Sequence, residues 1–183
     1  RNPPNLSIST GNLTYHYKTK ALLIEAIYEQ MHNDSQDYIQ IEGYLTLDDF
    51  RKGMKKFQQF QEKYSFFFYD MVFIIRNYPA VGELYRSSSL ERLKRGRQLF
   101  DYYIATGRIR EESNGLNYDL LIYNIWMTGV FWTTQEKILP RPIPMVVPSN
   151  IVDMTWQMLF PFLTEKGKEE YFQINELLNI SLK

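Results

Sequence analysis

Residues 6–23 read LSISTGNLTYHYKTKALL, and this stretch predicts two helices separated by a tight turn. Ser9 can cap the first helix, because its side-chain oxygen can accept a hydrogen bond from a free N–H group of the first turn. Gly11 allows another backbone to approach closely, and the second helix begins beyond the turn, near Thr19. A short helix that presents free N–H groups and small polar side chains suits the DNA major groove, where Lys20 can reach a phosphate.

Outside this stretch, apolar residues recur at steps of three and four between helix start and stop signals. Glycine is sparse, with 9 in 183 residues, and no long run alternates apolar with polar residues. The sequence therefore predicts an all-α fold. The four prolines within 139–148 exclude a helix there. The other predicted helices cover 47–64 behind the N-cap Thr46, 65–77, 87–107 with its start at Ser87–Ser89, 118–137, 150–163 and 166–178.

Composition excludes several classes of protein. The chain has 21 Lys and Arg against 21 Asp and Glu, which excludes a polybasic coat for nucleic acid but leaves room for a small basic reading head. With no cysteine, it can form neither a disulfide framework nor a thiolate zinc site. Its most apolar stretch, 120–132, is shorter than the ~20 residues that a membrane-spanning helix needs. We therefore expect a soluble cytoplasmic protein with no membrane partner.

The sequence contains no pattern that predicts catalysis or metal binding. A glycine-rich phosphate loop and a GxSxG elbow are both absent. The two histidines, His16 and His32, lie too far apart to chelate a metal from one helical face. We expect a protein that is not an enzyme and that needs no metal or cofactor.

Residues 8–23 resemble the end of the helix-turn-helix of TetR-family transcriptional regulators. In that family the recognition helix and the turn after it read approximately Ile-Ser-x-Gly-x-Leu-Tyr-x-His-Phe-x-x-Lys-x-x-Leu. Two positions depart here: Thr14 stands where the family usually has a phosphate-contacting tyrosine, and Tyr17 conservatively replaces phenylalanine. The residues of this chain at the defined positions are Ile8, Ser9, Gly11, Leu13, Thr14, His16, Tyr17, Lys20 and Leu23.

The resemblance implies a TetR-like fold with two domains. Residues 1–33 would form the C-terminal part of a helix-turn-helix DNA-binding domain, and residues 34–183 an effector-binding and dimerisation domain. The family has two further helices ahead of the recognition helix, and only Arg1–Ser7 precede it here, so a complete reading head is expected to need residues before Arg1. The DNA-binding residues implied by the match are Thr10, Gly11, Asn12, Thr14, Tyr15, His16 and Lys20.

The resemblance also implies the partners and the mechanism. It implies a homodimer on near-palindromic operator DNA, acting as a repressor that a small-molecule effector releases. The aromatic segment 64–70, YSFFFYD, and the RNYP that follows at 76–79 are similar to one type of C-terminal domain in that family. The residues alone leave an alternative, which is a helical small-molecule-binding or interaction module with no role at DNA. A cofactor-free enzyme with a buried pocket is a weaker third possibility.

Aromatic residues of the predicted buried helices can either pack in a core or line an effector cavity. Core packing is the more general role, and the family resemblance favours a cavity for some of them. The predicted ligand-binding residues are Phe67, Tyr69, Tyr102, Tyr103 and Asn124. Other large rings lie on the helices that would form a four-helix dimer seam. The predicted interface residues are Trp126, Trp132, Trp156 and Phe160.

The strongest basic run lies in the middle of the chain. Two interpretations remain open for it: a solvated helix face, or a site for a phosphate or an acidic ligand. The sequence alone favours the solvated face, because charged side chains recurring along one helix are usually exposed. The residues of this run are Arg86, Arg92, Lys94, Arg95 and Arg97.

Overall fold

The computed structural model describes residues 15–35, 43–113, 115–139 and 147–181, with side chains up to Leu177. Within these ranges the chain forms seven α-helices, one 3-10 turn and no strand, which confirms the predicted all-α class. None of these helices is both long and apolar enough to cross a membrane. The helices are α1 (Lys20–Asp34), α2 (Leu47–Lys63), α3 (Ser65–Asn77), α4 (Pro79–Ala105), α5 (Tyr118–Ile138), α6 (Ile151–Leu159) and α7 (Glu165–Ser181), and the 3-10 turn is Phe160–Phe162.

Polar side chains cap the starts of four helices. Thr46 forms a capping box at α2, where its hydroxyl accepts from the backbone N–H of Asp49 and the Asp49 carboxylate accepts from the backbone N–H of Thr46. Thr19, Asn117 and Asn150 cap α1, α5 and α6 in the same way, each accepting a backbone N–H of the first turn. These caps explain why most helix starts were predictable from local sequence.

The start of α4 differs from the prediction. The helix begins at Pro79, eight residues before the expected start at Ser87, and only Tyr78 separates it from α3. Proline suits the first helical position, because its missing N–H has no partner there and its φ is already helical. Ser88 lies inside the helix, where its hydroxyl donates to the carbonyl of Leu84 at 2.8 Å. The serines therefore mark the helix interior, and the prediction of a start at Ser87–Ser89 is wrong.

Two apolar clusters form the core. One lies among α2, α4, α5, α6 and α7 and includes Leu47, Phe100 and Trp156. The other lies among α1, α2, α3, α4 and α5 and includes Tyr28 and Phe67. Because α1 contributes buried residues to the second cluster, its C-terminal half packs into the domain that was predicted to begin after it.

A buried ion pair joins three separate parts of the chain. The Arg108 side chain, just after α4, is 1% exposed and donates from Nε to Glu170 of α7 at 2.6 Å. The second Glu170 oxygen accepts from the backbone N–H of Leu47, the first residue of α2, at 2.7 Å. The pair therefore fixes the end of α4 against the start of α2 and the middle of α7.

Candidate effector cavity

An apolar cavity of about 200 Å³ opens between the two core clusters. Helices α2, α4 and α5 supply nearly all of its wall, and the residue that ends α1 completes it. Most lining atoms are carbon, so the cavity favours an apolar guest. Its lining residues are Ser35, Phe50, Gly53, Met54, Phe57, Arg92, Leu93, Arg95, Gly96, Leu99, Phe100, Ile122, Ile125, Trp126 and Gly129.

Two helix glycines set the spacing of the cavity wall. A Cβ on Gly96 would lie 3.0 Å from a methyl carbon of Ile122, and one on Gly129 would lie 3.3 Å from the ring of Phe57. Glycine costs about 1 kcal/mol relative to alanine inside a helix, so its use here indicates a packing requirement. These glycines bring α2, α4 and α5 close together around the cavity.

Two arginines of α4 give one end of the cavity wall a positive charge. Arg92 is half-buried, lines the cavity, and donates from Nη2 to the Ser35 hydroxyl at 2.6 Å. Arg95 also lines the cavity, but its Nε lies 3.2 Å from a carboxylate oxygen of Glu91. Among the described residues, no carboxylate lies within 4.0 Å of the Arg92 guanidinium. The positive charge of Arg92 is therefore not neutralised by this part of the chain.

The field of Arg92 acts on the titratable groups around it. Burial lowers the pKa of His32, and the positive charge of Arg92 lowers it further. Burial raises the pKa of Tyr28 and of Tyr85, and Arg92 opposes the rise in both. The cationic end of the cavity is thus a region of positive potential.

The residues predicted to bind the ligand lie elsewhere. Tyr69 is 42% exposed and Asn124 is exposed, so both point away from the cavity. The Tyr102 hydroxyl accepts from the backbone N–H of Leu45, and the Tyr103 hydroxyl donates to the carbonyl of Thr46, so both tyrosines hold the start of α2. Phe67 lines a smaller cavity of about 40 Å³ beneath α1.

The lining residues that sequence reasoning missed carried a visible signal. Phe50, Met54 and Phe57 follow one face of α2 at helical spacing, and glycines interrupt the apolar stretches of α4 and α5 at Gly96 and Gly129. Aromatic content alone pointed to residues that do not line this cavity, because it does not separate a packed ring from one that borders a void.

The four predicted interface residues divide between core and surface. Trp156 is 4% exposed and packs against Phe50 and Tyr171, so it has almost no surface left for a partner. Trp126 is half-buried in the cavity wall. Trp132 and Phe160 are half-buried and keep part of their rings at the surface.

The predicted DNA contacts that the structure describes lie ahead of α1 and at its start. Tyr15 is 81% exposed, and His16 and Lys20 are also exposed. The rings of Tyr15 and His16 meet edge to face, with 5.2 Å between their centroids. The predicted DNA contacts Thr10, Gly11, Asn12 and Thr14 lie outside the described residues.

No group of His, Asp or Glu side chains in the described ranges could hold a metal ion. The fold and cavity define an all-helical protein with an apolar cavity that has one cationic end.

Comparison with known proteins gives the family. The sequence matches the TetR family model, described as a bacterial transcriptional repressor, over residues 24–171. The chain therefore belongs to the TetR family of transcriptional regulators. A crystal structure of a TetR-family transcriptional regulator from Marinobacter aquaeolei VT8 has the same fold, with a TM-score of 0.75 and 21% sequence identity over 93% of this chain and 83% of that chain. No match was found among curated proteins.

Proposed function

We propose that this protein is a homodimeric, cytoplasmic repressor that binds near-palindromic operator DNA and leaves it when a small molecule fills the cavity. The carrying observation is that α1 begins beside the predicted recognition motif and ends at the cavity. Lys20, its first residue, is exposed beside the recognition motif, and Ser35, which caps its C-terminus, lines the cavity. At 1.5 Å per residue, the 15 residues of α1 span about 22 Å.

A rigid helix can transmit a change at one end to the other end. A guest that moves Ser35 tilts or shifts α1, and the motif at its start moves with it. In a dimer, the two motifs must lie about 34 Å apart to enter successive major grooves on one face of the DNA. A difference in guest affinity between the two arrangements of about 1–3 kcal/mol changes operator affinity roughly 5- to 150-fold.

We place the dimer seam on the exposed face of α5, the helix that carries Trp126 and Trp132. Leu120, Tyr123 and Ile138 are 60%, 46% and 65% exposed and lie along this helix. Exposed apolar side chains that follow one helix are typical of a surface that a partner covers. An antiparallel or crossed pair of identical α5 helices would satisfy the two-fold symmetry of a homodimer.

The test is fluorescence anisotropy with labelled DNA from upstream of the gene, against scrambled DNA, at two salt concentrations. Lys20→Ala is expected to weaken binding to both DNAs and to lower the salt slope by about 0.9 for the lost phosphate contact. Lys55→Ala removes the same charge from an exposed position on α2 and is the matched control.

Specific DNA binding that weakens as the salt concentration rises supports the proposed function as a regulator. Absence of salt-dependent binding by a folded dimer would contradict it and favour the alternative, a helical small-molecule-binding module with no role at DNA. A change in sequence preference on Lys20→Ala, with the salt slope unaltered, would show that Lys20 contacts bases rather than phosphate.

A further inference from the structure

We infer that the cavity binds a small organic acid, with its apolar body inside the cavity and its carboxylate on the Arg92 guanidinium. The inference rests on the proposed effector cavity and adds the chemical class of its ligand. Its basis is that Arg92 and Arg95 both border two adjoining spaces, and of the two only Arg92 has no carboxylate partner among the described residues. Arg92 lines the apolar cavity of about 200 Å³ and also a second recess of about 290 Å³ along α4, most of whose lining residues are polar.

The recess and the cavity share three residues, Ser35, Arg92 and Arg95. The other residues that line the recess are largely polar, including Ser87 and Ser88, whereas the other residues that line the cavity are apolar. A ligand that places its body in the cavity and its polar end towards the recess therefore has Arg92 at the junction of its two parts.

The charge at that junction selects an anion. In the same helix Arg86, Arg95 and Arg97 each have a carboxylate partner, respectively Glu83, Glu91, and Asp101 with Glu112 and Asp119. Arg92 instead donates to a neutral hydroxyl, and no carboxylate of the described residues pairs with it. Glu91 lines the recess as well, but it is the partner of Arg95. A guanidinium binds a carboxylate through two parallel hydrogen bonds, which an alcohol or an amine cannot accept.

The same contact links the ligand to α1. Ser35 ends α1, with its backbone N–H and its hydroxyl both donating to the carbonyl of His32. A cation at this end stabilises the helix, because the last carbonyls of a helix carry partial negative charge. A carboxylate on Arg92 would compete with Ser35 for the guanidinium and would neutralise that cation. Ligand binding would thereby release the C-terminus of α1.

The test uses isothermal titration calorimetry of the full chain without DNA. The ligands are decanoate and 2-naphthoate, which separate a chain body from a ring body, and 1-decanol and decylamine as neutral and cationic controls. The variants are Arg92→Gln, which removes the charge but keeps a donor, Ser35→Ala, and the control Arg86→Gln, which removes a paired charge of the same helix that lines neither space. Circular dichroism and the melting temperature establish that each variant folds.

We expect at least one of the two acids to bind the wild-type protein at least tenfold more tightly than either control. Arg92→Gln is expected to weaken binding of that acid at least tenfold and binding of 1-decanol less than twofold, since only the acid interacts with the charge. Arg86→Gln is expected to change the affinity for both ligands by less than threefold. Ser35→Ala is expected to tighten acid binding a few-fold, because the acid then displaces no hydrogen bond from Arg92.

The inference is overturned if neither acid binds, if 1-decanol or decylamine binds as tightly as the acids, or if Arg92→Gln weakens acid and alcohol equally. Weaker acid binding on Ser35→Ala would overturn the competition at α1. Because no DNA is present, a failed operator-binding test does not affect these titrations. A preference for the neutral or cationic ligand would contradict the inference that the ligand is an acid, but it would leave the proposed regulatory function unaffected.

Discussion

Replacing Glu170 by alanine should destabilise the protein by about 3–5 kcal/mol, the cost of breaking a buried ion pair from one side. Glu170 accepts from Arg108 Nε at 2.6 Å and from the backbone N–H of Leu47 at 2.7 Å. The alanine variant leaves a guanidinium that is 1% exposed without its carboxylate, and it also leaves an N–H at the start of α2 unpaired. A domain is stable by only ~5–15 kcal/mol in total, so the loss is large.

Urea unfolding at a fixed protein concentration measures this change, since a dimer's stability depends on concentration. Glu169→Ala is the matched control, because Glu169 is exposed and precedes Glu170 in the same helix. It is expected to shift stability by no more than ~0.5 kcal/mol. Glu170→Gln should fall between the two, because an amide oxygen can still accept one hydrogen bond but carries no charge.

A double-mutant cycle separates the pair from the packing around it. Arg108→Met with Glu170→Met is expected to cost at least ~1.5 kcal/mol less than the sum of the two single changes, since the double variant leaves no unpaired buried charge. Additive single changes, or a loss below ~1 kcal/mol for Glu170→Ala, would refute the reasoning. Either result would mean that water or another group compensates Arg108.

Two further predictions concern pH and assembly. Hydrogen bonds from Lys63 and from the Tyr64 hydroxyl lower the pKa of Asp34 to about 2, below its ordinary value of 3.8. The stabilisation that the ionised Asp34 provides is therefore present above about pH 4 and is lost as the pH falls through about 2. Asp34→Asn should therefore flatten the fall in melting temperature between pH 4 and pH 2, and an unaltered fall would contradict the assignment. Tyr123→Glu should convert dimer to monomer in light scattering, whereas Leu90→Glu, an equally drastic change at an exposed position of α4, should leave the mass unchanged. A dimer that survives Tyr123→Glu would move the seam away from this face of α5.

The basic run of α4 shows how far a linear pattern can be interpreted. Residues 86–97 were open to two interpretations, a solvated face or a site for an acidic ligand, and the sequence favoured the first. The structure supports that interpretation for Arg86, Arg95 and Arg97, which pair with carboxylates at the surface. Arg92 differs from these three, because its guanidinium donates to the hydroxyl of Ser35, the residue that ends α1. The difference depends on which residue of another helix faces each arginine, and spacing along one helix does not contain that information.

Local sequence determined the helical class and most helix boundaries, and it carried the resemblance to the family. The physical reason is that caps, prolines and apolar periodicity act over one or two turns: Thr46 and Asp49 complete their capping box within four residues. The prediction failed at Pro79, which begins α4 directly after Tyr78, the single residue that separates it from α3.

Tertiary structure alone decided which rings border a void and which arginine of the basic run has no carboxylate partner among the described residues. Trp156 was predicted at a dimer seam, yet it packs in the core, because its ring meets Phe50 of α2 and Tyr171 of α7. The cavity likewise forms where α2, α4 and α5 meet the end of α1. Gly96 and Gly129 allow these helices to lie close together around it. Burial and cavity shape depend on contacts between residues far apart in the chain, so no local pattern could have determined them.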